Sequence, residues 1–165
     1  MYRYLLIIVI LSGLILSSCS YSVYSNSLPH LKTIAIERFE NKSDQFELEE
    51  ELWNYLNSEY DSDGRLRVVS LSPDCMLEGV IMDYSRKIDT YDESGIEEYN
   101  VKLLFRLSFT DMTTGEVIWE KDSLILSEVY SETNEESEYH SEEEAREAVY
   151  EKLFNEVMKN TLEQW

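Results

Sequence analysis

The strongest constraint on the fold is an alternation of apolar and polar side chains between residues 99 and 111. Polar side chains separate the apolar ones, and Leu104 is the exception to the alternation. A period of two is typical of a β-strand that packs one face against a core and turns the other toward water or a partner. The apolar positions are Val101, Leu103, Phe105, Leu107 and Phe109. The chain is therefore predicted to contain a sheet with one packed side.

Turn and strand signals on both sides of this segment extend the predicted sheet. Thr113-Thr114-Gly115 predicts a tight turn that leads into a strand over residues 117–130. Another strand is predicted over residues 75–84, where Gly79 indicates a bulge or a close backbone approach. Shorter strands are predicted over residues 33–39 and 66–70.

Two amphipathic helices are predicted to cover one face of this sheet. The first follows a candidate capping box of Asp44 and Glu47. The second follows a similar pair, Ser141 and Glu144, and has a wide apolar stripe, as expected for a helix lying across a sheet. In the first helix the apolar residues recur at every fourth position, as Leu48, Leu52, Leu56 and Tyr60. The predicted fold class is α+β, with two helices packed on a four- to five-stranded mixed sheet in the order βαββββα.

The amino terminus has the features of a bacterial secretory signal that ends at a cysteine. Arg3 precedes a twelve-residue apolar run over residues 5–16, and Ser17, Ser18 and Cys19 follow. The apolar run is too short to span a bilayer, which needs about 20 residues. The segment resembles the lipobox of bacterial lipoproteins, which implies cleavage before Cys19 and acylation of that cysteine.

This signal predicts both the location and the organisation of the chain. In Gram-negative lipoproteins an Asp after the cysteine commonly retains the protein at the inner membrane, and Ser20 stands there instead. We therefore expect a lipid anchor in the inner leaflet of the outer membrane, with the domain on the periplasmic side. The predicted parts are a cleaved signal peptide (residues 1–18), a lipidated Cys19 with a flexible tether (19–31) and an α+β sandwich domain (32–165).

The charge of the chain excludes one large class of partners. It has 34 acidic and 14 basic residues, for a formal net charge of −20 at pH 7. Such a field repels nucleic acids and anionic membrane surfaces, so no nucleic-acid role is expected. Eight glutamates and no lysine or arginine lie between residues 128 and 144, which predicts a mobile acidic loop. The spacing of these glutamates matches no EF-hand, so no metal site is predicted.

Residue types that could support catalysis are present without the partners they need. Cys75 begins an apolar strand and is predicted to be a small buried residue. His30 and His140 lie in polar or proline-containing stretches, where nucleophilic catalysis has little support. The chain has no glycine-rich phosphate loop, metal-ligand spacing or G-x-S-x-G motif. We therefore predict neither an enzyme nor a cofactor.

Several segments resemble, in the expected order, the LptE family of lipopolysaccharide-assembly lipoproteins. The matching segments are residues 32–43, 74–81, 98–101, 111–119 and 162–165. The resemblance implies a two-helix, mixed-sheet domain that plugs the outer-membrane β-barrel LptD. It also implies that the pair inserts lipopolysaccharide into the outer leaflet without catalysis.

The resemblance also implies a role for basic side chains. Family members that bind lipopolysaccharide directly are expected to place lysine or arginine of loop tips against its phosphates. The corresponding tip here, residues 89–95, is acidic. The candidate ligand-binding residues are therefore the nearest basic pair, Arg86 and Lys87, with Lys102 and Arg106 behind them. The alternative is that these four side chains only balance neighbouring carboxylates.

A second function stays open at this point. The segment 33–41 also resembles the opening of curli-secretion and synthase-activator lipoproteins. The alternative function is therefore an outer-membrane lipoprotein that activates a peptidoglycan synthase or belongs to a secretion system. Those families usually place a helix between the short second strand and the next strand, and residues 69–74 leave no room for one.

The first testable prediction concerns Cys19. We expect the intact mass of the protein from native membranes to equal that of residues 19–165 plus several acyl chains, because one chain alone anchors only marginally. Intact-protein mass spectrometry measures this directly. A processed polypeptide that carries no fatty acid would contradict the lipobox assignment.

Overall fold

The computed structural model describes residues 28–91 and 97–163, so the signal peptide, Cys19 and most of the predicted tether lie outside the described residues. Within those ranges the chain forms six strands and two helices. The strands are β1 (Thr33–Ile36), β2 (Glu40–Asn41), β3 (Arg67–Val68), β4 (Cys75–Tyr91), β5 (Glu97–Asp111) and β6 (Glu116–Tyr130), and the helices are α1 (Leu48–Asp63) and α2 (Glu142–Thr161). The predicted fold class is confirmed, with the two-residue strand β2 as an addition. Neither described helix combines the length and hydropathy that crossing a membrane requires.

The strands form one mixed sheet in the order β3-β1-β4-β5-β6, and β2 lies beside β4. β1 pairs in parallel with β3 and β4, while β4, β5 and β6 form an antiparallel meander. The pairing of β4 with β5 runs from Cys75 opposite Asp111 to Tyr91 opposite Glu97. The register shifts between Ile81 and Asp83 and again near residue 89.

The core lies between the two helices and the face of the sheet that contains the alternating apolar residues. Val101, Leu103, Phe105 and Phe109 are fully buried, and Leu107 is nearly so. The predicted stripe of α1 is also confirmed, since Leu48, Leu52, Leu56 and Tyr60 are all fully buried. The stripe of α2 packs beside it on the same side of the sheet. The alternation therefore places both helices on one face of the sheet.

One predicted cap is confirmed and the other is wrong. The Ser141 hydroxyl accepts a hydrogen bond from the Glu144 backbone N–H at 3.2 Å, which caps α2. α1 instead begins at Leu48, after Glu47 in a left-handed conformation (φ 67°) and with no side-chain cap. The reason is Asn41, whose Nδ2 donates to the Gln45 carbonyl and to the Glu49 carboxylate, both at 2.8 Å. These bonds organise the loop before α1 in place of Asp44.

The packed domain begins before the boundary that the sequence indicates. Leu31, assigned to the tether, is fully buried, and Leu28 packs against the same core. The Leu31 N–H also donates to the Leu28 carbonyl at 3.1 Å. Leu28 and Leu31 are therefore already part of the packed domain, because both leucines cover the end of the core.

The acidic segment is shorter and more tightly held than the predicted loop of residues 128–144. Glu128 lies within β6 opposite Val101, and α2 starts at Glu142. Between them, the Ser131 N–H donates to the Tyr139 carbonyl at 3.1 Å, and Tyr139 packs against the core. The loop is therefore held at both ends by backbone and aromatic contacts.

Gly79 shows the close backbone approach that the sequence indicated. A Cβ at this position would lie 2.5 Å from the Phe39 ring and 2.7 Å from the Arg106 carbonyl oxygen. The second neighbour is backbone, which cannot rotate away. Phe39 thus packs directly over β4 because position 79 has no side chain.

We predict that Gly79→Ala lowers the free energy of unfolding by about 2 kcal/mol, because the added methyl overpacks this contact. Urea unfolding followed by circular dichroism measures the loss. As a control, Phe39→Leu in the Gly79→Ala background should recover part of it relative to Phe39→Leu alone. A Gly79→Ala protein that unfolds at the wild-type urea concentration would show that the contact is not tight.

Candidate partner-binding face

The antiparallel meander has a second face, opposite the helices, which we call the open face. Its residues alternate with the buried residues of β4, β5 and β6. Both described helices lie on the other side, where the buried core residues are. The open face contains Met76, Glu78, Val80, Lys87, Asn100, Lys102, Leu104, Arg106, Ser108, Val117, Glu120, Ile125 and Ser127. No helix from the described ranges packs on this side, so it is available to another molecule.

Apolar side chains lie at the centre of the open face. Leu104, which breaks the alternation in β5, stands opposite Ile125 of β6. Ile125 is 59% exposed, and a further exposed apolar side chain, Val117 (49%), lies at the distant start of the same strand. Large apolar side chains grouped on an exposed surface are typical of sites that contact other proteins or membranes. The centre of the open face is therefore the best candidate for a partner contact.

A shallow groove of about 660 Å³ crosses the open face near β1 and β2. Its lining includes two arginines and five carboxylates: Arg38, Arg106, Glu37, Glu40, Glu78, Glu120 and Asp122. Arg106 Nε lies 3.6 Å from Asp122 Oδ1, and the Ser108 hydroxyl donates to Glu78 at 3.1 Å. This part of the open face is polar and of mixed charge, in contrast to the apolar pair at its centre.

The structure brings three of the four candidate basic residues to the open face and separates them from the fourth. Lys87 and Lys102 line a smaller groove of about 250 Å³, together with Asp89, Asn100 and Ser127. Neither lysine has a salt bridge to a carboxylate of the described chain. Arg106 lies farther along β5, beside Asp122.

Arg86 instead lies on the helix side of the sheet. Its Nε donates to the Tyr130 hydroxyl at 2.5 Å and lies 3.3 Å from Glu142. Its guanidinium stands 4.2 Å from the centre of the Tyr99 ring, an arrangement that attracts a cation to the ring. The hydrogen bond to Tyr130 raises the pKa of Arg86. Arg86 therefore joins β4 to the start of α2.

The register shift in β4 explains why Arg86 and Lys87 are separated in this way. Ile81 pairs with Phe105 on the helix side, but the next residue to pair, Asp83, stands opposite Leu104 on the open face. One extra residue in a strand exchanges the faces of all residues that follow it. As a result, Arg86 faces the helices and Lys87 faces outward.

Ile125 is a candidate contact that the sequence interpretation did not single out. It lies in an uninterrupted apolar run, Leu124-Ile125-Leu126, whose two neighbours pack against the core. A strand with three consecutive apolar residues must present one of them on its outer face. That run, together with Leu104 in the neighbouring strand, was the available signal.

Solved structures show which class of fold this is. The chain is similar to the hypothetical protein CT253 from Chlamydia trachomatis, with a TM-score of 0.55 and 12% identity, over 78% of this chain and 94% of that one. Protein XCC0632 from Xanthomonas campestris is similar with a TM-score of 0.50 and 10% identity, over 80% and 89% of the two chains. At such low identities these structures show a shared fold alone. No curated protein matches the sequence.

A match to a protein-family model identifies the family of this chain, which the structural similarities cannot do. The model of the LptE family, described as lipopolysaccharide-assembly, matches residues 31–164, which is nearly the whole described domain. The chain therefore belongs to the LptE family, a family of non-catalytic lipopolysaccharide-assembly lipoproteins.

The positions of Arg86 and Lys87 give a paired prediction. We expect Arg86→Ala to lower the free energy of unfolding by about 1 to 2 kcal/mol, because it removes a partly exposed ion pair and a cation–ring contact. Lys87→Ala on the open face should change it by less than about 0.5 kcal/mol. Urea unfolding of both variants measures the difference, and equal stabilities would mean that the Arg86 contacts contribute nothing.

Proposed function

We propose that this protein is an outer-membrane lipoprotein that plugs an LptD-type β-barrel and assists the insertion of lipopolysaccharide into the outer leaflet. Acylated Cys19 anchors it to the inner leaflet of that membrane. The observation that carries the proposal is an open sheet face on which Leu104 pairs with the exposed Ile125, in a member of the LptE family. That face has the features expected of a surface that binds a larger partner.

The size of the domain supports a large barrel as the partner. A compact domain of about 130 residues has a radius of gyration of about 14 Å. Barrels of about 8 strands enclose little more than side chains, whereas barrels of about 22 strands enclose a plug. A barrel that accepts this domain must therefore belong to the largest class.

The chemistry of the open face also suits a barrel interior. Barrel lumens are polar, while their outer surfaces are apolar and face the lipid. Arg106, Glu120 and Asp122 supply charges of both signs around the apolar pair Leu104 and Ile125. A surface of this mixed kind can make hydrogen bonds and ion pairs to a polar wall and can pack around its centre.

Lys87 and Lys102 are the proposed contacts for lipopolysaccharide phosphates. Each presents an ammonium on the open face, and neither makes a salt bridge to a carboxylate of the described chain, although Asp89 lines the same groove. An ammonium of this kind binds phosphate as a point charge. Arg106 is a weaker candidate because Asp122 lies beside it, and Arg86 is occupied by Tyr130 and Glu142.

The alternative partner, a peptidoglycan synthase or secretion component, has less support. The helix usual in those lipoproteins would fall between β3 and β4, and residues 69–74 form no helix here. The family match points away from it as well.

Co-purification from native membranes tests the proposal. We expect the tagged wild-type protein to capture a large outer-membrane β-barrel. Ile125→Glu should reduce the capture by at least about tenfold, because a carboxylate would be desolvated in the interface.

Phe46→Glu is the matched control, because Phe46 is 84% exposed but lies in the loop between β2 and α1, outside the strands that form the open face. This variant should capture the barrel as the wild type does. Capture of a peptidoglycan synthase in place of a barrel, or equal capture by both variants, would contradict the proposal.

A further inference from the structure

Three segments meet at the end of the sheet where β4 begins and β5 ends. The segments are residues 28–32, the β3–β4 connection (69–74) and the β5–β6 turn (112–115). Asp74 Oδ2 accepts hydrogen bonds from the backbone N–H groups of Lys32 and Thr33, both at 2.9 Å. The Met112 N–H donates to the Asp74 carbonyl at 2.8 Å. We call this assembly the tether end, because the chain enters the domain here.

Two apolar side chains project from the tether end. Leu71 in the β3–β4 connection is 83% exposed, and Met112 in the β5–β6 turn is 45% exposed. The backbone beside Leu71 is strained, since Ser72 is left-handed with φ 50° and precedes Pro73. A residue before proline normally adopts an extended conformation. The hydrogen bonds of Asp74 hold this connection in place, so the exposure of Leu71 is a fixed feature of the fold.

The tether end is also less acidic than the rest of the chain. Asp74 is the one carboxylate in the three segments, and its hydrogen bonds to Lys32 and Thr33 lower its pKa. Asp111 beside the turn is turned inward, where it accepts hydrogen bonds from Thr113 and lies 2.6 Å from His30 Nε2. Glu116 after the turn is exposed, and so is Lys32. These three segments therefore present little concentrated negative charge to a phospholipid surface, and Arg65 binds Asp63 and Glu163 at the nearby ends of the two helices.

The length of the tether limits how far this end can be from the membrane. Leu28 already packs on the core, and eight residues separate it from Cys19. A fully extended chain gains at most about 3.5 Å per residue, so Cys19 can lie no more than about 30 Å from Leu28. An acyl chain on Cys19 therefore keeps the tether end close to the bilayer.

We propose that the tether end rests on the phospholipid surface, with Leu71 and Met112 inserted at the boundary between headgroups and acyl chains. This inference rests on the proposed function for one element only, the acylated Cys19. Apolar side chains on an anchored domain bind in this region because they leave water there. The contact gives the domain a defined orientation. In this orientation β4 runs away from the lipid. Its 17 residues, at about 3.3 Å each, span about 55 Å toward the β4–β5 connection.

Fluorescence quenching by lipid tests this contact in the mature lipoprotein. Leu71→Cys and Phe46→Cys are each labelled with an environment-sensitive fluorophore, and the wild type, whose Cys75 is buried, serves as the labelling background. The proteins are reconstituted in vesicles of phosphatidylethanolamine and phosphatidylcholine, with or without a lipid that carries a nitroxide near the head of its acyl chain. Phe46 is as exposed as Leu71 but precedes α1, whose 16 residues span about 24 Å before the chain returns to the tether end.

We expect the nitroxide lipid to quench the label at residue 71 by at least about twofold and to leave the label at residue 46 nearly unchanged. Equal quenching at both positions, or none at residue 71 in protein that floats with the vesicles, would overturn this inference alone. Wild-type protein that fails to float and lacks acyl chains by mass would overturn the anchor together with the inference.

Discussion

The burial of one face of the sheet under two helices is the interaction on which the rest of the structure depends. Val101, Leu103 and Phe105 of β5 are fully buried on that face, where α2 covers β5 and β6 and α1 covers β1, β2 and β3. The opposite side of the meander then has no described element to cover Leu104 and Ile125. The packing of both helices on one face of the sheet thus creates both the stable core and the surface that we propose binds a partner.

The distribution of charge follows from the same division. On the helix side, Arg86 and Arg146 are bound by carboxylates and tyrosines that join the sheet and helices, including Glu142, which contacts both arginines. On the open face, Lys87 and Lys102 share a groove with Asp89 but make no salt bridge to a described carboxylate. A chain with a net charge of −20 therefore leaves cations available where a phosphate-bearing lipid could be bound.

The sequence predicts the helices and strands far better than it predicts which side chains lie on the open face. The alternation in β5, the stripe of α1 and the cap at Ser141 depend on local patterns, and all three are confirmed. β2 could not be predicted because its pairing with β4 joins residues far apart in sequence. The face occupied by Arg86 was equally hidden, since a single extra residue after Ile81 reverses it. Local patterns determine periodicity, but bulges and long-range pairing determine which face a residue occupies.

The central claim is that the open face packs against a larger protein in the outer membrane. Site-specific photocrosslinking in native membranes tests it most directly, with a photoreactive amino acid at Ile125 and, for comparison, at Phe46, both of which are exposed in the isolated domain. The account predicts a strong crosslink from position 125 to one outer-membrane β-barrel and little or none from position 46. A position 125 that crosslinks to nothing, while position 46 crosslinks to the barrel, would contradict the account.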